Sequence, residues 1–174
     1  MIDIPAIETA RLRLRGPALG DFRNQSELWA HPEVVRFTMG EPQTPEQTWS
    51  RLLRCIGHWT ALDFGLWTLE DKLTSEFIGE AGFADLHRDL RPCLDGIPEA
   101  GWVLHPSKHG KGYATEAVRA VLNWGRERWG SIPVACLIRP EHKTSLRVAE
   151  KCGFTIREQT TYKGDPVLIL RRTL

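Results

Sequence analysis

Glu99-Ala-Gly-Trp-Val-Leu-His-Pro-Ser-Lys-His-Gly-Lys-Gly-Tyr-Ala-Thr-Glu-Ala117 sets the architecture of this chain. It reads as a short strand over 100–104, a basic loop with two glycines, and the first turn of a helix. Gly110 and Gly112 carry no Cβ, so the backbone there can approach a ligand closely. The first-turn N–H groups of a helix lack internal acceptors, and the helix dipole adds positive character at the same end. An anion suits such a place, and a pyrophosphate fits it well. Lys108 and Lys111 add charge. Two familiar phosphate loops do not match. The P-loop needs an upstream Gly and a Lys-Ser/Thr ending, and the dinucleotide fingerprint needs a third Gly where this chain has Thr115.

Downstream, Ala114, Ala117, Val118, Val121, Leu122 and Gly125 share one face of a helix predicted over 113–129, and an apolar strand follows at 134–138. Strand, helix and strand in that order predict a parallel crossover. A further helix over 141–151 ends at Gly153, placed as a C-cap. Strands at 154–161 and 167–171 flank the turn Lys163-Gly164-Asp165-Pro166. Upstream, Leu12 and Leu14 alternate with arginines as in a half-buried strand, and a helix covers 19–29. Thr44-Pro45-Glu46-Gln47 carries the signature of a capping box with Pro at the first helical position. Strands at 64–69 and 77–86 complete the order β-αα-βββ-α-β-α-ββ. Residues 87–98, rich in charge, Pro and Gly, read as an exposed loop. The expected fold is α/β (α+β): a mixed, mostly antiparallel sheet of about seven strands with about four helices, one domain over 1–174.

Bulk properties exclude several classes of function. Twenty-three Lys and Arg against 22 Asp and Glu leave no basic surplus for a dedicated nucleic-acid binder. Cys55, Cys93, Cys136 and Cys152 form no C-x-x-C and no zinc spacing, so no metal is expected. Cys136 and Cys152 sit in apolar runs and read as buried thiols of a reducing cytoplasm. Residues 1–7 lack a secretory pattern, and no apolar run is long enough to span a membrane. Trp29, Trp49, Trp59, Trp67, Trp124 and Trp129 are expected in the core, although the first four also suit the wall of an aromatic pocket.

His109-Gly-Lys-Gly-Tyr-Ala114, followed by Thr115-Glu116-Ala117, resembles the acetyl-CoA loop of the GNAT acetyltransferases, Gln/Arg-x-x-Gly-x-Gly/Ala. Arg139-Pro-Glu-His-Lys-Thr-Ser145 with the helix after it and Lys151-Cys-Gly-Phe154 resembles the second signature of that family. Thr9-Ala-Arg-Leu-Arg-Leu-Arg15 opens the chain as family members do. The branch it resembles most includes acetyltransferases of ribosomal-protein N-termini. Two departures stand out: His109 replaces the usual Gln or Arg, and His142 replaces the Asn of the second signature.

The resemblance implies an N-acetyltransferase that uses acetyl-CoA as co-substrate. It places Trp102, Val103 and Leu104 along the pantetheine arm, and Lys108, His109, Gly110, Lys111, Gly112, Tyr113, Ala114 and Thr115 around the pyrophosphate, with His142 and Ser145 nearby. Amide formation needs a neutral amine, so a base must remove a proton. Glu99 is the implied base, with Glu80 as the second candidate. Leu104 N–H is the implied oxyanion donor, Ser145 the group that holds the leaving sulfur, and His142 an acid or base near neutral pH. The expected acceptor is a primary amine, on a protein N-terminus or a small molecule, with no nucleic acid or membrane partner; base rates of assembly point to a homodimer. The competing reading is a non-catalytic acyl-CoA-binding module, favoured by His142 at the Asn position.

Overall fold

The computed structural model describes residues 4–174. In chain order it contains β1 (Ile7–Glu8), β2 (Leu12–Arg15), a 3-10 turn (Leu19–Asp21), α1 (Phe22–Ala30), α2 (Pro32–Val35) and α3 (Pro45–Leu62). There follow β3 (Leu66–Asp71), β4 (Phe77–Ala84), β5 (Glu99–Leu104), a 3-10 turn (Pro106–Lys108) and α4 (Tyr113–Trp129). The chain closes with β6 (Pro133–Ile138), α5 (Lys143–Lys151), β7 (Thr155–Tyr162) and β8 (Asp165–Thr173). The strands form a single sheet in the order β1-β2-β3-β4-β5-β6-β8-β7. Every neighbouring pair is antiparallel except β5 and β6, the crossover made through α4.

The predicted order holds, with two additions that sequence periodicity cannot show. β1 is two residues long, too short to alternate, and exists by pairing Ile7 with Leu14. α2 is a single turn, started by Pro32 and by the His31 ring accepting from Glu33 N–H. The α3 start matches its signature: Thr44 Oγ1 accepts from Gln47 N–H at 3.2 Å, and Gln47 Oε1 accepts from Thr44 N–H at 2.8 Å. Gly153 takes φ +79°, the left-handed conformation that closes a helix. No helix of the described residues is long and apolar enough to cross a membrane.

Alternation along β5 divides the interior. Ala100 and Leu104 pack with Ala117, Val118, Val121 and Leu122 of α4, while Val103 joins Leu28, Trp29, Val34 and Val35 of α1 and α2 on the other face. Trp59, Trp67, Trp124 and Trp129 meet edge to face, with centroids 4.7–5.9 Å apart. Trp29, Trp59 and Trp67 are thus core residues, whereas Trp49 is 39% exposed beside Phe22. The segment 87–98 is a loop, as expected, but it is not exposed throughout. Leu90 and Leu94 are buried against Ala135, Val167 and Ile169, and each such leucine contributes about 1.5–3 kcal/mol. The loop is therefore pinned over β6 and β8.

Candidate active site

β5 and β6 part almost as soon as they meet. Their one registered pair is Glu99 with Ala135, although each strand has six residues. Successive residues of a strand point their N–H groups to opposite sides. His105 N–H donates to Ile78 of β4, so Leu104 and Trp102 turn their N–H groups the other way, into the gap. Val103 faces β4 opposite Glu80, which commits its N–H to the ladder. The Leu104 carbonyl in the gap lies 2.9 Å from His109 Nε2. A carbonyl can only accept, so Nε2 carries the proton and the tautomer of His109 is set.

The loop beyond β5 ends this gap. Gly110 and Gly112 have φ of +73° and +82°, and Gly112 caps α4. Among the described residues, the N–H groups of Gly110, Lys111, Gly112, Tyr113, Ala114 and Thr115 have no hydrogen-bond acceptor, whereas Glu116 N–H bonds to Gly112. A run of unpartnered donors at a helix start is a cradle for an anion. Lys108 braces the loop rather than facing the cradle, since its ammonium pairs with Glu76 at 2.6 Å. Tyr113 OH donates to Asp71, and its ring lies under Arg11.

The opening motif holds this loop in place. Glu116 accepts from Thr9 Oγ1 at 2.6 Å, Arg11 N–H at 2.9 Å and Arg11 Nε at 2.7 Å, while Arg11 Nη1 donates to the Lys111 carbonyl. Burial alone would raise the Glu116 carboxyl, but these donors outweigh it and hold it below the usual carboxylate range.

On the α1 side of the sheet the gap opens into a cavity of about 520 Å³, lined by Glu80, Glu99, Gly101, His142 and Ser145 among others. Gly101 leaves the floor bare, since a Cβ there would meet nothing within 4 Å. Both candidate bases carry arginine partners. Glu99 is held by Arg88 through two bonds of 2.7 and 2.8 Å. Glu80 is 3% exposed, pairs with Arg51 and accepts from Gln25, which in turn accepts from Trp29 Nε1. Arg51 closes the ring by lying 3.9 Å over the Trp29 indole.

His142 corrects one expectation. It sits at the start of α5, stacked on Phe37 at 4.5 Å, and burial, aided by the His109 charge, pushes its pKa down to about 4. It is neutral at physiological pH and can give or accept a hydrogen bond, but it is not a proton donor of the imidazolium kind. Burial pushes the Cys55 thiol up to about 11 and raises Cys136 and Cys152 as well, so none of these is a ready thiolate nucleophile.

Residues 11–155 match the family described as Acetyltransferase (GNAT) domain. The chain belongs to the GNAT acetyltransferases. A solved structure described as a GnaT-family acetyltransferase of Bordetella pertussis is 30% identical, covers 97% of this chain and 99% of its own, and superposes with a TM-score of 0.86. YkkB of Bacillus subtilis (strain 168), itself uncharacterized, is 34% identical over 107 residues, which is 62% of this chain and 60% of that relative. The spermidine N-acetyltransferase of Vibrio cholerae, solved with CoA and spermine, shares the fold at a TM-score of 0.74 and 17% identity, over 95% of this chain and 96% of its own. Within this GNAT fold the sequence signatures find the loop, the gap-lining strand and the His142–Ser145 turn. They miss Arg51, Arg88 and Gln25, because nothing in a strand or helix pattern announces a partner 11, 29 or 55 positions away.

Proposed function

We propose that residues 1–174 form one catalytic domain that moves an acetyl group from acetyl-CoA to a primary α-amine by direct attack. The run of six unpartnered N–H groups from Gly110 to Thr115, at the end of the β5–β6 gap, carries this reading. It suits a pyrophosphate, and the gap beside Trp102 and Leu104 suits an amide-bearing arm leading to the cavity. The solved spermidine acetyltransferase with CoA bound is a neighbour in fold and agrees with the choice of co-substrate. Four unpaired cysteines suit a cytoplasmic setting.

The thioester supplies the electrophilic carbonyl and a sulfur leaving group. The chain supplies donors and a path for the proton. In this reading Leu104 N–H donates to the carbonyl oxygen and Ser145 Oγ to the sulfur. The surplus amine proton passes to the Glu99 side of the cavity through water. A carboxylate is by its ordinary pKa a weak base, and burial makes His142 weaker than a free imidazole. Such a site favours amines that are already partly neutral. At pH 7.5 roughly a third of α-amines are unprotonated, against about one lysine amine in a thousand. A protein or peptide N-terminus is therefore preferred to a lysine side chain.

Calorimetric titration with acetyl-CoA tests the reading. Wild type should bind and Gly112→Asp should not, because a carboxylate in the cradle opposes the pyrophosphate by bulk and charge. A folded wild type that binds no acetyl-CoA refutes it. The arginine partners of both carboxylates favour one rival, a module that binds acyl-CoA without turnover. CoA binding with no acetylation across a broad α-amine panel would establish that rival.

A further inference from the structure

The cavity beside the β5–β6 gap has an unbalanced lining. Its acids are Glu80, Glu99 and Asp165. Each already has an arginine: Arg51 for Glu80, Arg88 for Glu99 at 2.7 Å, and Arg139 for Asp165 at 2.6 Å. Two further cations line the same space, Arg54 on α3 and Lys163 on the β7–β8 turn. Neither has a carboxylate partner among the described residues, and both are exposed at the rim. The two histidines of the lining, His58 and His142, are biased toward their neutral forms by burial. The excess is therefore two positive charges with no acid left over.

Resting on the acetyltransferase reading above, we propose that the acceptor is an amine that carries a negative charge away from its nitrogen, an acidic amino acid or the N-terminus of an acidic peptide. Its ammonium end loses a proton at the thioester while its anionic end is held at the rim by Arg54 and Lys163. A polyamine finds no free carboxylate here and meets repulsion from both cations, so the site rejects it by charge as well as by lack of contacts.

Matched amines test the proposal. L-glutamate and an Ala-Asp-Glu peptide are compared with their amidated counterparts, which lack the carboxylates, and with spermidine, using acetyl-CoA turnover and, in parallel, acceptor titration of the protein saturated with CoA. The anionic member of each pair should show the lower KM or Kd, by about tenfold, the ratio that 1.4 kcal/mol represents. Raising salt from 50 to 500 mM should narrow that ratio. Arg54→Glu and Lys163→Glu should each shrink or invert it, read against the amide as internal control. Glutamate alone or the peptide alone distinguishes a small-molecule acceptor from a protein one. A preference for spermidine, or equal binding of acid and amide in the CoA-saturated protein, overturns the proposal. Failure to bind CoA at all is a separate result, and it removes the acetyltransferase reading instead.

Discussion

Replacing Arg51 with Met removes the cation from a carboxylate that has almost no access to water. Glu80 is 3% exposed and would keep Gln25 as its partner at 3.1 Å. A buried ion left without its counter-charge costs about 3–5 kcal/mol. Met retains much of the apolar contact over the Trp29 ring, so the loss is mainly electrostatic. With a urea m-value of about 2 kcal/mol/M, a loss of about 3 kcal/mol moves the unfolding midpoint down by about 1.5 M. Against a total of about 5–15 kcal/mol this is easily measured. The double variant Arg51→Met/Glu80→Gln has no stranded charge, and its amide can still bond to Gln25. It should recover to within about 1–2 kcal/mol of wild type. Urea unfolding followed by circular dichroism gives all four corners of the cycle. A single variant that costs less than about 1 kcal/mol, or a double variant as unstable as the single, refutes the view that Glu80 depends on Arg51.

His142 links stability to pH. Its folded pKa is about 4 and its unfolded value is near 6.5, so between them only the unfolded chain takes the proton. Stability should fall as pH drops from 6.5 to 4, and His142→Asn should flatten that part of the profile in urea titrations at pH 7, 5.5 and 4.5; parallel profiles would contradict it. Two glycines should respond in opposite ways. Gly79 has φ +153° and a Cβ there would sit 2.2 Å from the Val103 carbonyl, so Gly79→Ala should cost about 3 kcal/mol or more. Gly101→Leu points into the open cavity and should leave the unfolding free energy within about 0.5 kcal/mol of wild type while raising acceptor KM.

Local chemistry was legible where local chemistry decides. The Thr44 capping box, the α4 face and the Gly153 stop each depend on residues within a few positions, and the chain adopts all three as read. The glycine loop was legible for the same reason, as its donors come from consecutive residues. What could not be read depends on distance in sequence. The Thr9–Arg11 clamp on Glu116 joins positions more than a hundred apart, so the opening motif could be recognised without its purpose being visible. The ionic partners of Glu99 and Glu80 came from a loop and from the inner side of α3, and they change the chemistry expected of both carboxylates. Leu90 and Leu94 were masked by charged and turn-forming neighbours, yet two buried side chains suffice to fasten a loop. For His142 the residue type was plain, but the value of its pKa is a property of burial against Phe37 and of a second histidine from another loop.

Within the sheet, the single registered pair between β5 and β6 leaves two leaves joined at one point of backbone, while a shared apolar cluster packs beneath both. On one leaf lie β1 to β5, on the other β6, β8 and β7, and α4 is the strap that carries the chain between them. Across most of that join no backbone ladder runs. A guest whose own amides and carbonyls match those of Trp102 and Leu104 would act as a splint, finishing a sheet that the polypeptide leaves incomplete.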